Sequence, residues 1–67
     1  MNITLNNREE ELDASQLSVR ELLKVKNFTF KLLVIKINGN LVKKDEYDSA
    51  IIHEGDKVDV IHLISGG

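Results

Sequence analysis

The chain has 67 residues, 42% of them apolar, no Cys and no Pro, and a formal net charge of −2. That composition gives one domain with a single small core, and it excludes a disulfide scaffold and a Cys-based metal site. No apolar run approaches a membrane span, no signal-peptide pattern opens the chain, and basic residues without interleaved aromatics point away from nucleic acid, so a cytoplasmic protein with neither a membrane nor a nucleic-acid partner is expected.

In chain order, Ile3 and Leu5 alternate with polar neighbours, Asn6-Asn7 offers a turn, and residues 9–12 return as a second strand. Three successive glutamates make that second strand a poor β former. Ser18 is an N-cap, and Glu21 three residues on completes a capping box, with Leu17 and Leu22 placed as a hydrophobic staple. Val19, Leu22 and Leu23 form one apolar stripe, with Lys26 snorkelling, over a helix of about two turns that Asn27 ends. Such a short helix needs a sheet to lie on.

Leu33-Val34-Ile35-Lys36-Ile37 reads as the strongest strand, with Leu33, Ile35 and Ile37 toward the core and Val34 and Lys36 away from it. Asn38-Gly39 is a tight-turn signal, followed by a short strand at Leu41-Val42. Residues 43–50 are polar and irregular, with Tyr47 tucked against the core. Gly55-Asp56 turns the chain into a last strand in which Val58 and Val60 share one face and Ile61 and Leu63 the other. The alternation places His62 beside Val58 and Val60, as a partly buried residue. This order predicts an α+β chain of the β-grasp, ubiquitin-like kind: a mixed four- to five-stranded sheet packed on one short helix. Residues 1–63 form the domain, and residues 64–67 form a flexible tail.

Catalytic groups are scarce. His53 and His62 lack a third ligand, His53 reads as a turn residue, and Ser65 has no His or Asp placed to activate it. No catalytic and no metal-binding residue is assigned. Charge is segregated: Arg20, Lys24, Lys26, Lys31, Lys36, Lys43 and Lys44 stand against Glu21 alone, between two acidic ends. That pattern either steers a charged partner or is a solvated surface. On the sheet face away from the helix, Val34, Ile61 and Leu63 with Lys36, Lys57 and Asp59 around them suit transient docking; the alternative is scattered surface apolar residues. The ending Gly66-Gly67 is a thin tip without side chains, able to enter a channel that admits little more than backbone.

The segments Ser18-Val19-Arg20-Glu21-Leu22-Leu23, Val34-Ile35-Lys36-Ile37-Asn38-Gly39-Asn40-Leu41-Val42, Glu54-Gly55-Asp56-Lys57-Val58 and Ile64-Ser65-Gly66-Gly67, with Lys44 and Tyr47, resemble those of the ThiS-type sulfur carriers of thiamine biosynthesis. The resemblance implies a carrier and no enzyme. An adenylating, E1-like partner (ThiF-type) would use ATP and Mg²⁺ to activate the Gly67 carboxylate, the carrier itself binding no cofactor. A sulfur donor, ultimately a cysteine desulfurase, would yield a thiocarboxylate for a thiazole synthase (ThiG-type). Ile64, Ser65 and Gly66 would thread into each partner, with Val34, Lys36, Ile61 and Leu63 docking. A monomer when free is implied. Two related readings remain, a molybdopterin-synthase small-subunit-like carrier and a ubiquitin-like modifier joined through Gly67 to lysine. A plain interaction module with an inert tail is the fourth. The Glu9-Glu10-Glu11 run and the segment from Phe28 to Phe30 have no match in the resemblance.

Overall fold

The computed structural model describes residues 1–29 and 32–63. The expected tail residues Ile64, Ser65, Gly66 and Gly67, and Phe30 with Lys31, lie outside the described residues. Strands β1 (Asn2–Leu5) and β2 (Arg8–Glu11) form an antiparallel hairpin. Asn6 and Asn7 join them with φ of 51° and 67°, values Asn tolerates better than most residues. Strand β3 (Leu17–Ser18) leads into helix α1 (Val19–Val25), followed by β4 (Leu33–Ile37) and β5 (Asn40–Val42). A 3₁₀ turn (Lys44–Glu46), β6 (Ile51–Ile52) and β7 (Lys57–His62) complete the order.

Five strands make one mixed sheet in the order β2-β1-β7-β4-β5, with β7 parallel to β1 and antiparallel to β4. The last strand is therefore central, and α1 packs across the sheet in the expected β-grasp manner. The core joins Ile3 and Leu5 of β1, Val19 and Leu22 of α1, Ile35, Val42 and Val58 of the sheet, and Leu12, Tyr47 and Ile52 from the connections. Tyr47 is buried, as its place in the polar stretch suggested.

The helix termini follow from local chemistry. At the start, Ser18 Oγ accepts the Glu21 N–H at 3.1 Å, and the Glu21 carboxylate accepts the Ser18 N–H at 3.0 Å. At the end, Asn27 sits at φ 57°, its N–H donating to the Lys24 carbonyl while the Phe28 N–H donates to that of Leu23. This is a Schellman closure with Asn where Gly is usual, and it brings Phe28 and Leu23 onto the same side of the core.

Two features differ from the sequence reading, the pairing of β3 with β6 and the exposure of His62, while the expected return strand β2 forms despite its poor β propensity. A second, two-stranded ladder pairs Leu17 with Ile52 and Ser18 with Ile51, where sequence alone assigns no strands. It fastens the entry to α1 against the segment before the last turn. The glutamate-rich β2 forms because Glu10 lies opposite Ile3 and its carboxylate pairs with the Lys26 ammonium. Lys26 thus reaches an ion pair on the helix side of the sheet. His62 is exposed, contrary to the partly buried position expected from its alternation with Val58 and Val60. It pairs with Leu33, the first residue of β4, so the strand has already run to the end of the sheet.

The capping box gives the fold a pH dependence of known sign. The Ser18 N–H, then the Ser18 side chain, hold the Glu21 carboxyl below its ordinary value of 4.5; Lys24 adds to this and burial opposes it. A lowered folded pKa means stability that is present above the unfolded value and lost as pH falls through the folded one. Urea unfolding midpoints should therefore drop below pH 4.5, and the drop should be smaller in Glu21→Gln. An identical acid profile in that variant would remove the capping box as a cause.

Candidate functional site

Sequence reasoning placed the functional surface on the outer face of the last strand and the strand beside it. The sheet ladder brings those residues together. Val34 pairs with Ile61 and Lys36 with Asp59 across β4 and β7, and the alternation of β7 places Leu63 two residues beyond Ile61 on that face. Ile61 and Leu63 are exposed, while Val34 and Lys36 are half-buried. Side-chain length accounts for part of this, since Lys36 can lay its methylenes along the sheet and leave its ammonium in water.

One member of the face is missing from the sequence reading. The turn Asn38-Gly39 (φ 52° and 84°) has only two central residues and sets Ile37 opposite Asn40, which forces Leu41 opposite Lys36. Leu41 therefore lies on the outer face, and it is 59% exposed. Hairpin register arithmetic was the available signal.

What the fold does for this face is hold β7 rigidly from both sides. On one side β4 pairs with it from Val58 to His62, and the Leu63 N–H still donates to the Leu32 carbonyl at 3.0 Å. On the other side the β1 ladder ends at Leu5 and Val58, and Asn6 continues it. The Asn6 N–H donates to the Val58 carbonyl, and its side-chain oxygen accepts the Val60 N–H at 2.8 Å. Backbone order thus extends to Leu63, the residue before the expected tail. The candidate residues Ile64, Ser65, Gly66 and Gly67 themselves lie outside the described residues.

The opposite end of the sheet is tied by a polar network. Asn38 Nδ2 donates to Asp56, the Lys57 N–H donates to Asn38 Oδ1, and the His53 N–H donates to Asp56. His53 is thereby a turn residue, as expected. Among the described residues, no group of His, Cys, Asp and Glu is arranged to hold a metal ion, and no helix is long and apolar enough to cross a membrane.

Comparison with known proteins adds the family. A model described as the ThiS family matches residues 2–67. The crystal structure of a thiamine biosynthesis protein (ThiS) from Geobacter metallireducens is 28% identical, with 100% of each chain covered and a TM-score of 0.90. The solution structure of a thiamine biosynthesis protein from the same organism is also 28% identical, covering 100% of this chain and 88% of that one, with a TM-score of 0.82. No curated protein matches the chain.

Proposed function

The chain belongs to the ThiS family, and on that premise we propose that it is a sulfur carrier of thiamine biosynthesis, loaded as a thiocarboxylate on Gly67. The observation that carries this reading is the family match running through residue 67 on a chain whose central strand ends at His62, shortly before those residues in sequence.

A carboxylate is a poor electrophile, being anionic and without a good leaving group. An adenylating, E1-like partner (ThiF-type) supplies one by joining the Gly67 carboxylate to the AMP portion of ATP, with Mg²⁺ on the phosphates and pyrophosphate released. The terminal sulfur of a persulfide, charged by a cysteine desulfurase, attacks the acyl-adenylate and displaces AMP. A second thiol then cleaves the acyl disulfide so formed, leaving the thiocarboxylate on Gly67 and a disulfide on the donor side. The resulting thiocarboxylate presents a soft, anionic sulfur to a thiazole synthase (ThiG-type). In this scheme the carrier is no enzyme and binds no cofactor. Its residues position: β4, β7 and Asn6 hold the root, Ile64 to Gly67 reach into the partner, and Val34, Lys36, Ile61 and Leu63 dock. Docking must be weak enough to release the carrier between partners, and a patch of this size with a charged rim suits that.

Mass spectrometry of the C-terminal peptide, from protein isolated from its own cells, tests the reading. The isolated peptide matters because exchanging oxygen for sulfur changes mass almost as oxidation of Met1 does. Sulfur on Gly67 is expected. A Gly67–lysine linkage would make the chain a modifier instead, and a carboxylate that stays bare with ATP and the adenylating partner would remove the carrier role.

The docking face has its own test. Ile61→Thr keeps a β-branched residue on the strand while removing apolar contact area. The partner's KM for the carrier should rise about fivefold, which corresponds to ~1 kcal/mol of lost contact, with kcat and the thermal midpoint nearly unchanged. An unchanged KM would remove Ile61 from the interface.

A further inference from the structure

We propose that the groove between α1 and the open end of β4 is a second docking site, which takes an extended acidic peptide segment with apolar anchors from a partner protein. Three independent features of the groove point to such an occupant, and none depends on the sulfur-carrier reading.

The first is apolar exposure. Val25, Leu32, Leu41, Ile61 and Leu63 are the exposed large apolar side chains among the described residues. Leu32, Leu41 and Leu63 line this one groove, which wraps the edge of the sheet from Val34, Leu41 and Leu63 on the outer face, where it adjoins the first docking patch, to Leu23, Phe28 and Tyr47 on the helix side. Concentration of exposed leucines in one concave place is the pattern of a binding surface.

The second is charge. Arg20, Lys24, Lys43 and Lys44 are the charged residues lining the groove among those described, and no carboxylate lines it. Arg20 is committed to Asp48 at 2.6 Å and lies 5.9 Å from the centre of the Tyr47 ring. Lys24, Lys43 and Lys44 have no ion-pair partner among the described residues. Four of the seven basic residues of the middle segment, Arg20, Lys24, Lys43 and Lys44, thus collect on the rim of an apolar floor and favour an anionic occupant.

The third is an unpaired strand edge. The ladder between β4 and β5 ends at Ile35 and Val42, after which the chain leaves β4 through Lys43 and Lys44. The Leu63 N–H reaches the Leu32 carbonyl, so even-numbered positions of this strand turn their backbone groups toward β7. Alternation then turns the N–H and carbonyl of Leu33 the other way, into the gap that β5 vacates. No backbone partner meets them there among the described residues. An extended segment laid in this gap can bond to Leu33, place an apolar side chain over Phe28 and Tyr47, and bring carboxylates to the lysines. This is strand addition in its ordinary form.

A second copy of the chain fits less well. Its own acidic extended segment is β2, Arg8–Glu11, which carries no apolar side chain for the floor and has Glu10 already engaged with Lys26. A partner peptide is therefore the occupant.

The test titrates the ¹⁵N-labelled full chain with a capped heptapeptide, EELVVDE, at low salt. Saturable amide shifts at Phe28, Leu33, Lys43 and Lys44 are expected, with Kd of about 0.1–1 mM. Raising the ionic strength to ~1 M should weaken binding several-fold, and the double change Lys43→Glu with Lys44→Glu should weaken it about tenfold or more. Several outcomes overturn the proposal: no saturable shift up to about 10 mM peptide, shifts confined to Lys36 and Ile61, or equal binding of the charge-reversed peptide KKLVVRK. Groove shifts that grow with protein concentration in the absence of peptide would make the occupant a second copy, and would overturn it equally.

Discussion

Deleting Gly67 is expected to abolish thiocarboxylate formation, by at least about 100-fold, without changing the thermal midpoint. The shortened chain still ends in a carboxylate, now on Gly66, so the chemistry of adenylation is available to it. What changes is reach. An extended residue spans ~3.3–3.6 Å, and a misplacement of about 1 Å at a reacting centre can already cost ~100-fold. The fold is insulated from the deletion because the ladder bond from Leu63 to Leu32 and the clamp of Asn6 on Val60 lie upstream of the tail. Gly66→Ala is the gentler companion. It keeps the length and adds one Cβ, so it tests whether the partner's channel admits backbone alone; slower loading with an unchanged midpoint is expected. Pyrophosphate exchange by the adenylating partner and the mass of the C-terminal peptide measure both variants. Loading of the Gly67-deleted chain at the ordinary rate would sink the carrier reading, whereas equal loading of Gly66→Ala would sink only the channel.

The parts of this fold that were legible in the sequence are those fixed by local chemistry. Ser18 with Glu21, the Asn38-Gly39 turn and the alternation of Val58, Val60 and Ile61 each specify geometry within a few residues. The illegible parts depend on partners far along the chain. Ile51–Ile52 pairs with Leu17–Ser18, and strands of two residues have too little periodicity to announce themselves. The glutamates of β2 read as poor strand formers, and only the distant Lys26 makes the inward position of Glu10 tolerable. His62 shows the converse failure: alternation gives its side of the strand correctly but not where the sheet ends. At the site, the face Val34, Lys36, Ile61 and Leu63 follows from alternation alone. Leu41 needed the register of the hairpin, and the unpaired Leu33 edge needed to know where β5 leaves β4.

Leu22→Ala should unfold most of the protein at physiological temperature. Leu22 is among the largest side chains that are fully buried, and it ties α1 to the sheet. Truncating a fully buried Leu costs about 2–5 kcal/mol, through lost burial and the cavity left behind. A domain this small, without disulfide or metal, has ~3–5 kcal/mol in total, so the loss consumes most of the stability. Helix α1 has seven residues and cannot persist in water without the sheet, which leaves no partly folded fallback. Val25→Ala on the same helix is the control: Val25 is 61% exposed, and its change should stay within ~0.5 kcal/mol. Urea unfolding followed by circular dichroism reads both, and a Leu22→Ala midpoint near that of Val25→Ala would contradict the assigned core. The comparison also separates scaffold from tail. Leu22→Ala should lose fold and loading together, because β7 no longer has a core to hold its register, while Gly67 deletion should lose loading alone. Only a carrier whose chemistry resides in the tail and whose aim resides in the sheet gives that pair of results.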